Sequence, residues 1–257
     1  MNKNKIAVGN AAGSAGKSTT VTSLAAIAAE DGKKVLIVDG DAQATATRWV
    51  GIDPLHCDLN IGNVLLKEAT ADEAIIPTPV EGVFLLPAAT NFDGVVTQLA
   101  AMRGAERRMR NFLRDVHGFG LVLIDCPGSL NIITASAIVA ADHVVTVATP
   151  TMKEVEGTPR FMRLVDDLAD EHDLTIRVDG IVPCMVPPAN AGAIYRESYD
   201  LLVSGPWADR ITPMVRRSTR VPDSYASRVP LPILYPQEPV TIDYRGVYEW
   251  LTTRRIL

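Results

Sequence analysis

Lys17 and Ser18 close the run Ala11-Ala12-Gly13-Ser14-Ala15-Gly16-Lys17-Ser18, whose residue types suit a cradle for anionic oxygens. A lysine ammonium neutralises phosphate charge, a serine hydroxyl can bind magnesium, and glycines let several backbone N–H groups converge on one anion. The apolar Ile6-Ala7-Val8 before the run reads as a buried strand, and the Ala-rich stretch 19–29 after it reads as a helix. Strand, Gly-rich turn and helix in that order is the context a phosphate-binding loop requires. In that reading Gly13, Ser14, Ala15, Gly16, Lys17, Ser18 and Thr19 surround a nucleotide's phosphates. Lys17 reaches the β- and γ-phosphates and Ser18 binds Mg²⁺. The usual pattern has glycine where this chain has Ala11. The competing reading is a Gly-rich turn with a chance Gly-Lys-Ser.

Other strand ends carry acids. Asp125 follows Leu121-Val122-Leu123-Ile124, the pattern of a Walker-B carboxylate that holds Mg²⁺ through water. Magnesium keeps several waters, so Asp125, the Ser18 hydroxyl and phosphate oxygens suffice. Asp39 and Asp41 flank Gly40 after Val35-Leu36-Ile37-Val38. Alternate residues of an extended segment face the same way, so both carboxylates can face the phosphates. Asp41 is assigned to positioning the attacking water and Asp39 to supporting the magnesium shell. The plainer alternatives are an Asp125 that caps the following turn and a solvated turn at 39–43.

Holding these residues together calls for strands at 35–38, 83–86, 121–125, 143–148 and 178–182. Helices are expected at 45–50, 60–67, 71–76, 132–140, 154–171, 193–203 and 240–252, with a break near Gly104 in helical structure across 91–116. Thr70 reads as a cap between two short helices. Gly157 and Pro159 place the regular start of the 154–171 helix near Pro159. Arg210-Ile211 reads as the close of a short strand and 231–234 as a further extended piece. Alternating strands and helices imply one doubly wound α/β domain over 1–257, a mostly parallel sheet of about seven or eight strands flanked by helices.

The 257 residues are 47% hydrophobic with a formal net charge of −5. No run approaches the ~18 unbroken apolar residues of a transmembrane helix. Residues 1–5 lead into the first strand without a secretory apolar region, which predicts a cytoplasmic protein. Cys57, Cys126 and Cys184, odd in number and widely spaced, argue against a disulfide framework or a zinc site. The acidic balance excludes a uniformly basic nucleic-acid binder but not a local basic patch.

Residues 13–20, 35–49 and 121–130, with Ala148-Thr149-Pro150-Thr151, Tyr235-Pro236 and Asp243-Tyr244, resemble in order the ParA/MinD family of deviant Walker-A ATPases. The resemblance spans essentially the whole chain. It implies a P-loop NTPase fold, ATP and Mg²⁺ as cofactors, an ATP-dependent homodimer with two sandwiched nucleotides, and slow, partner-stimulated hydrolysis. By motif matching it gives Lys17 and Ser18 to phosphate and Mg²⁺, Asp41 to the attacking water and Asp125 to Mg²⁺, and it adds Pro236 to the nucleotide site.

Two departures stand out. The family's loop normally begins Lys-Gly-Gly, and that first lysine reaches the other subunit's phosphates; here the position is Ala12, and Ser14 replaces the second glycine. The third motif reads Cys126-Pro127-Gly128 in place of Cys-Pro-Pro. Alanine cannot neutralise developing phosphoryl charge, so either hydrolysis is weak or another cation substitutes. Lys153 is the candidate, in a segment the family places at the dimer face, with Arg160 a weaker substitute. A similar arrangement belongs to the carboxysome-positioning, McdA-type branch. An ordinary surface lysine at a helix start is the alternative.

Family members bind DNA nonspecifically as ATP-bound dimers. Residues 210–228 hold Arg210, Arg216, Arg217, Arg220 and Arg228 against Asp223 alone. Thr212-Pro213 reads as a helix cap and first residue, which predicts Arg216, Arg217 and Arg220 on one face suited to phosphate contacts. Arg103, Arg107, Arg108, Arg110 and Arg114 form a second basic stretch that extends this surface or faces solvent. No helix-turn-helix precedes the loop, so a ParB-like or other small adaptor would supply sequence-specific binding. Val247, Trp250 and Leu251 fall at core-packing spacing, so a MinD-like membrane anchor is not expected. Iron–sulfur chemistry is disfavoured, because the three cysteines do not reproduce that branch's ligand pair. The leading reading is a cytoplasmic, nucleoid-associated ATPase that partitions plasmid or chromosomal DNA. The alternatives are positioning of a carboxysome or other protein cargo, a MinD-like membrane-bound regulator and a metabolic P-loop synthetase.

Overall fold

Apolar runs long enough to be buried on both faces form the centre of a single sheet. The computed structural model describes residues 4–11, 15–88, 92–188 and 190–257. Its strands are β1 (Lys5–Gly9), β2 (Val35–Asp39), β3 (Ile76–Pro77), β4 (Val83–Leu86), β5 (Leu121–Asp125), β6 (His143–Ala148) and β7 (Val178–Pro183). They lie in the order β3-β4-β2-β5-β1-β6-β7. β3 runs antiparallel to β4, and the remaining pairs are parallel. Every residue of β2 and β5 is buried, as parallel strands covered by helices on both faces require.

The helices are α1 (Lys17–Glu30), α2 (Thr45–Trp49), α3 (Ile61–Leu66), α4 (Ala71–Ala74), α5 (Phe92–Ala100), α6 (Arg108–Asp115), α7 (Ile132–Ala140), α8 (Met152–Glu171), α9 (Ala193–Val203), α10 (Arg220–Ala226), α11 (Leu231–Leu234) and α12 (Pro239–Thr253). Two cores sandwich the sheet, and alternation along the strands feeds both. Leu36, Val38 and Ile124 pack with Met109, Ile133 and Phe161 on one face. Val35, Ile37 and Leu123 pack with Leu24, Tyr244 and Leu251 on the other. β1 sits between β5 and β6; the crossover from β1 through α1 runs to β2 on one side, and the one from β5 through α7 passes β1 to reach β6 on the other. Such a switch point opens a crevice at the strands' carboxyl ends.

Several sequence expectations change. α8 begins at Met152 and carries Pro159 inside it. Packing of its first turns against Ala11, with Glu154 and Thr158 buried, outweighs the proline's missing donor. Thr212-Pro213 starts no helix. Thr212 N–H donates to the Ile181 carbonyl at 3.0 Å and Val215 N–H to that of Pro183 at 2.7 Å, so this segment runs extended beside β7. Burial of Val215 holds it there. Arg210 ends a 3-10 turn over Ala208–Arg210, and Ile211 makes a single parallel bridge to Ile181 in place of the expected strand end. Residues 231–234 are the helix α11, not an extended piece. The strand β3 replaces the end of the predicted 71–76 helix, while Thr70 caps α4 as expected, reciprocally with Glu73. No helix among the described residues is long and apolar enough to cross a membrane.

Candidate phosphate-binding site

α1 starts at Lys17 because Gly16 turns the chain at φ +98°, a left-handed conformation that side chains rarely adopt. Ala12, Gly13 and Ser14 lie outside the described residues. Ala15, Gly16, Lys17, Ser18 and Thr19 line a hollow of about 550 Å³ at the strands' carboxyl ends, joined there by Asp41, Pro127 and Asn131. That volume is in the usual range for a small-molecule site. An adjoining hollow of about 510 Å³ shares Gly16 and Thr19 and is walled by Cys184, Met185, Val215 and Tyr244. Its lining is mostly apolar, as a flat aromatic group would need. Hollows of about 780 and 810 Å³ elsewhere on the surface contain no part of the loop.

Asp125 and Ser18 meet directly: the Ser18 hydroxyl donates to Asp125 Oδ2 at 2.5 Å. Oδ1 of the same carboxylate is buried without a hydrogen-bond partner among the described residues. Burial pushes the Asp125 carboxyl well above its ordinary pKa, and the nearby Asp39 adds to this; the Ser18 hydrogen bond and Lys17 pull the other way. Gly40 lets the two acidic strand ends close on each other. Its N–H donates to the Asp125 carbonyl at 2.9 Å, and a Cβ at Gly40 would lie 3.0 Å from that oxygen.

Asp39 and Asp41 divide their work. Asp41 is half-buried and lines the hollow, with Oδ1 accepting from Gln43 N–H at 2.9 Å. Asp39 is fully buried and lines neither hollow. Its Oδ2 accepts from Thr47 N–H at 2.8 Å and the Thr47 hydroxyl at 2.7 Å, and its Oδ1 from Asp41 N–H at 3.1 Å. Asp39 thus fixes α2 and the Asp41 turn, and any support it gives a metal is indirect.

Burial raises the Asp39 carboxyl from 3.8 to about 6, against the lowering effect of its hydrogen bonds. An acid whose folded-state pKa lies above its unfolded value stabilises the fold fully below the unfolded value and loses that contribution as pH rises through the folded one. The metal- and nucleotide-free chain therefore gains stability from Asp39 as pH falls from about 7 toward about 4. In thermal melts, Asp39→Asn should flatten this dependence. An unchanged pH slope would show that Asp39 does not titrate in this range.

Of the remaining predicted residues, Arg216 and Arg217 line the rim of the apolar hollow, and the others lie outside both hollows. Lys153 is exposed on the first turn of α8 and lines neither hollow. Pro236 is exposed in the turn between α11 and α12, also outside both. Arg216, Arg217 and Arg220 do not share a helical face. Arg216 makes a two-pronged ion pair with Asp243, at 2.6 and 2.8 Å. Arg220 donates to Glu238 at 3.1 Å and lies over the Tyr235 ring. Arg217 is exposed and pairs with no carboxylate among the described residues. Asn10 and Glu154, which the sequence reading passed over, are buried beside Lys17; the signal was an acid at the helical spacing of α8's buried stripe.

Fold and site together define a P-loop protein of the doubly wound α/β class. A family model described as an AAA domain matches residues 3–178. The chromosome partitioning protein ParA of Caulobacter vibrioides is 30% identical over 189 residues, 72% of this chain and 71% of that protein. The chain belongs to the ParA family of partition ATPases. Among solved structures, apo McdA from Cyanothece matches with a TM-score of 0.88 at 20% identity, over 96% of this chain and 99% of that one. Cobyrinic acid a,c-diamide synthase from Mycobacterium smegmatis, with a bound ATP analogue and magnesium, matches with a TM-score of 0.82 at 27% identity, over 98% and 96%.

Proposed function

We propose that this chain is a partition ATPase that binds ATP with Mg²⁺, dimerises on it, and cycles on nonspecific DNA to segregate plasmid or chromosomal DNA with a small ParB-like adaptor. The observation that carries the reading is the Ser18–Asp125 contact beside Lys17 and Asp41, at one switch point of a ParA-family sheet. The orphaned, buried Asp125 Oδ1 fits a hydrated divalent cation, which would draw this acid back to its charged form. Mg²⁺ so held would neutralise charge developing on the transferred phosphoryl group. Lys17 and Gly16 bind the phosphates from the other side, and Asp41 orients the attacking water. The apolar hollow beside Cys184 and Val215 suits the base.

DNA contact rests chiefly on Arg217. Arg216 and Arg220 are half-exposed and ion-paired, and an exposed pair is a weak tie that a phosphate can replace. The test is retention on nonspecific DNA with ATP and Mg²⁺. Arg217→Ala should weaken it and lower its salt dependence, with smaller losses from Arg216→Ala and Arg220→Ala. No retention by the wild-type chain under any nucleotide condition would overturn the DNA reading.

A second reading, positioning of a protein cargo, is favoured by Ala12 at the family's lysine position together with Lys153 exposed at the start of α8. A membrane role has less support. Ile256 and Leu257 are buried, and Arg254 stacks on Trp250 at 3.8 Å, so the apolar residues of the last turns are already packed. The proposed setting is cytoplasmic and nucleoid-associated.

A further inference from the structure

Glu154 is an acid on the wrong side of its helix. It shares the buried stripe of α8 with Thr158, Phe161, Val165 and Leu168, and it is 4% exposed. A buried carboxylate requires a counter-charge or hydrogen-bond donors. Among the described residues, Lys17 of the phosphate loop, its neighbour Lys153 and the amide of Asn10 favour its charged form, and burial nonetheless raises its pKa. Lys17 is just as enclosed, at 6% exposed, and its Nζ donates to Asn10 Oδ1 at 2.9 Å. Nδ2 of that amide is buried beside Glu154 without the geometry of a completed hydrogen bond. The helix start is pinned against the loop, since a Cβ at Gly157 would lie 3.5 Å from the Ala11 Cβ.

A carboxylate and a nucleotide's phosphates compete for the same ammonium, and the competition is strong where water is excluded. We propose that Glu154 and the Asn10 side-chain oxygen form an internal acceptor site that holds the Lys17 ammonium when no nucleotide is bound, so that phosphates bind by drawing Lys17 away from a buried acid. This rests on the reading of the loop as a nucleotide site. Glu154 is then a positioning residue that sets nucleotide affinity. Once Lys17 moves to the phosphates, Lys153 still favours the charged form of the acid.

The competition has a signature that a purely structural role lacks. Lys17 serves the β- and γ-phosphates, so the effect should depend on how many phosphates the ligand carries. Affinities of wild type, Glu154→Gln and Asn10→Asp for AMP, ADP and ATP would be measured by titration calorimetry with Mg²⁺. The isosteric Glu154→Gln should tighten ADP and ATP by about tenfold and leave AMP unchanged. Asn10→Asp, which sets a second acid against Lys17, should weaken ADP and ATP. Equal shifts for all three ligands, or no tightening by a folded Glu154→Gln chain, would overturn the proposal; if that chain does not fold, Asn10→Asp decides by the same criterion. A wild-type chain that binds none of the three would instead overturn the nucleotide-site reading.

Discussion

Asp125→Asn should yield a chain that melts higher and turns over ATP slower. The two effects have one cause. Asp125 is fully buried, its Cα pairs across the sheet with that of Asp39, and one of its oxygens has no partner among the described residues. Without a cation beside it, its negative charge is a cost to the fold, which is why its pKa is driven upward. An asparagine keeps the shape and an acceptor for the Ser18 hydroxyl, but removes the charge and its repulsion with Asp39. Relief of that cost, about 1–3 kcal/mol, corresponds to a rise of about 5 °C in melting temperature for a chain of this length. On the proposed reading, in which Asp125 anchors Mg²⁺, metal-dependent turnover should fall by about 100-fold or more. Differential scanning fluorimetry of the metal-free chain and a steady-state phosphate-release assay check the pair. A lower melting temperature would mark Asp125 as a structural turn cap, and unchanged turnover would remove it from the metal site.

Much of this site is legible in the sequence because its signals are local. The buried strands are continuous apolar runs, the acids stand at their ends, and the Gly16-Lys17-Ser18 turn sits between a strand and a helix. The Thr70 cap is likewise complete within four residues. What stays hidden is set by contacts far along the chain. Arg216 and Arg220 look like a free basic cluster until the fold brings Asp243, 27 residues away, and Glu238, 18 residues away, against them. Thr212-Pro213 carries a helix-start signal, but backbone bonds to β7 claim its donors first. Asp39 and Asp41 share a face in an extended segment, yet Thr47 captures Asp39 from the following helix. Glu154 gives no local clue to its partners, because Asn10 and Lys17 lie on another part of the chain.

Gly9→Ala, a change of one methyl group, should destabilise the chain and weaken nucleotide binding together. Gly9 ends β1, immediately before Asn10 and the phosphate loop. A Cβ there would lie 2.7 Å from Phe161 Cζ, closer than such atoms approach, and 3.0 Å from Cε2, a tight contact. Phe161 is fully buried on α8, so its ring has nowhere to go. Either β1 retreats or α8 moves outward, and α8 also carries Glu154 and Lys153 at its start. Overpacking of this kind costs about 1–3 kcal/mol. For a chain of this length that is a loss of about 5 °C in melting temperature. The loop moves with the strand, and affinity for ADP should drop by about tenfold. The decisive measurement is the second-site variant. Phe161→Leu alone should destabilise by leaving a cavity, yet in the Gly9→Ala background it should recover both stability and affinity, because the shorter side chain vacates the contested space. Strictly additive losses in the double variant would show that the steric conflict lies elsewhere.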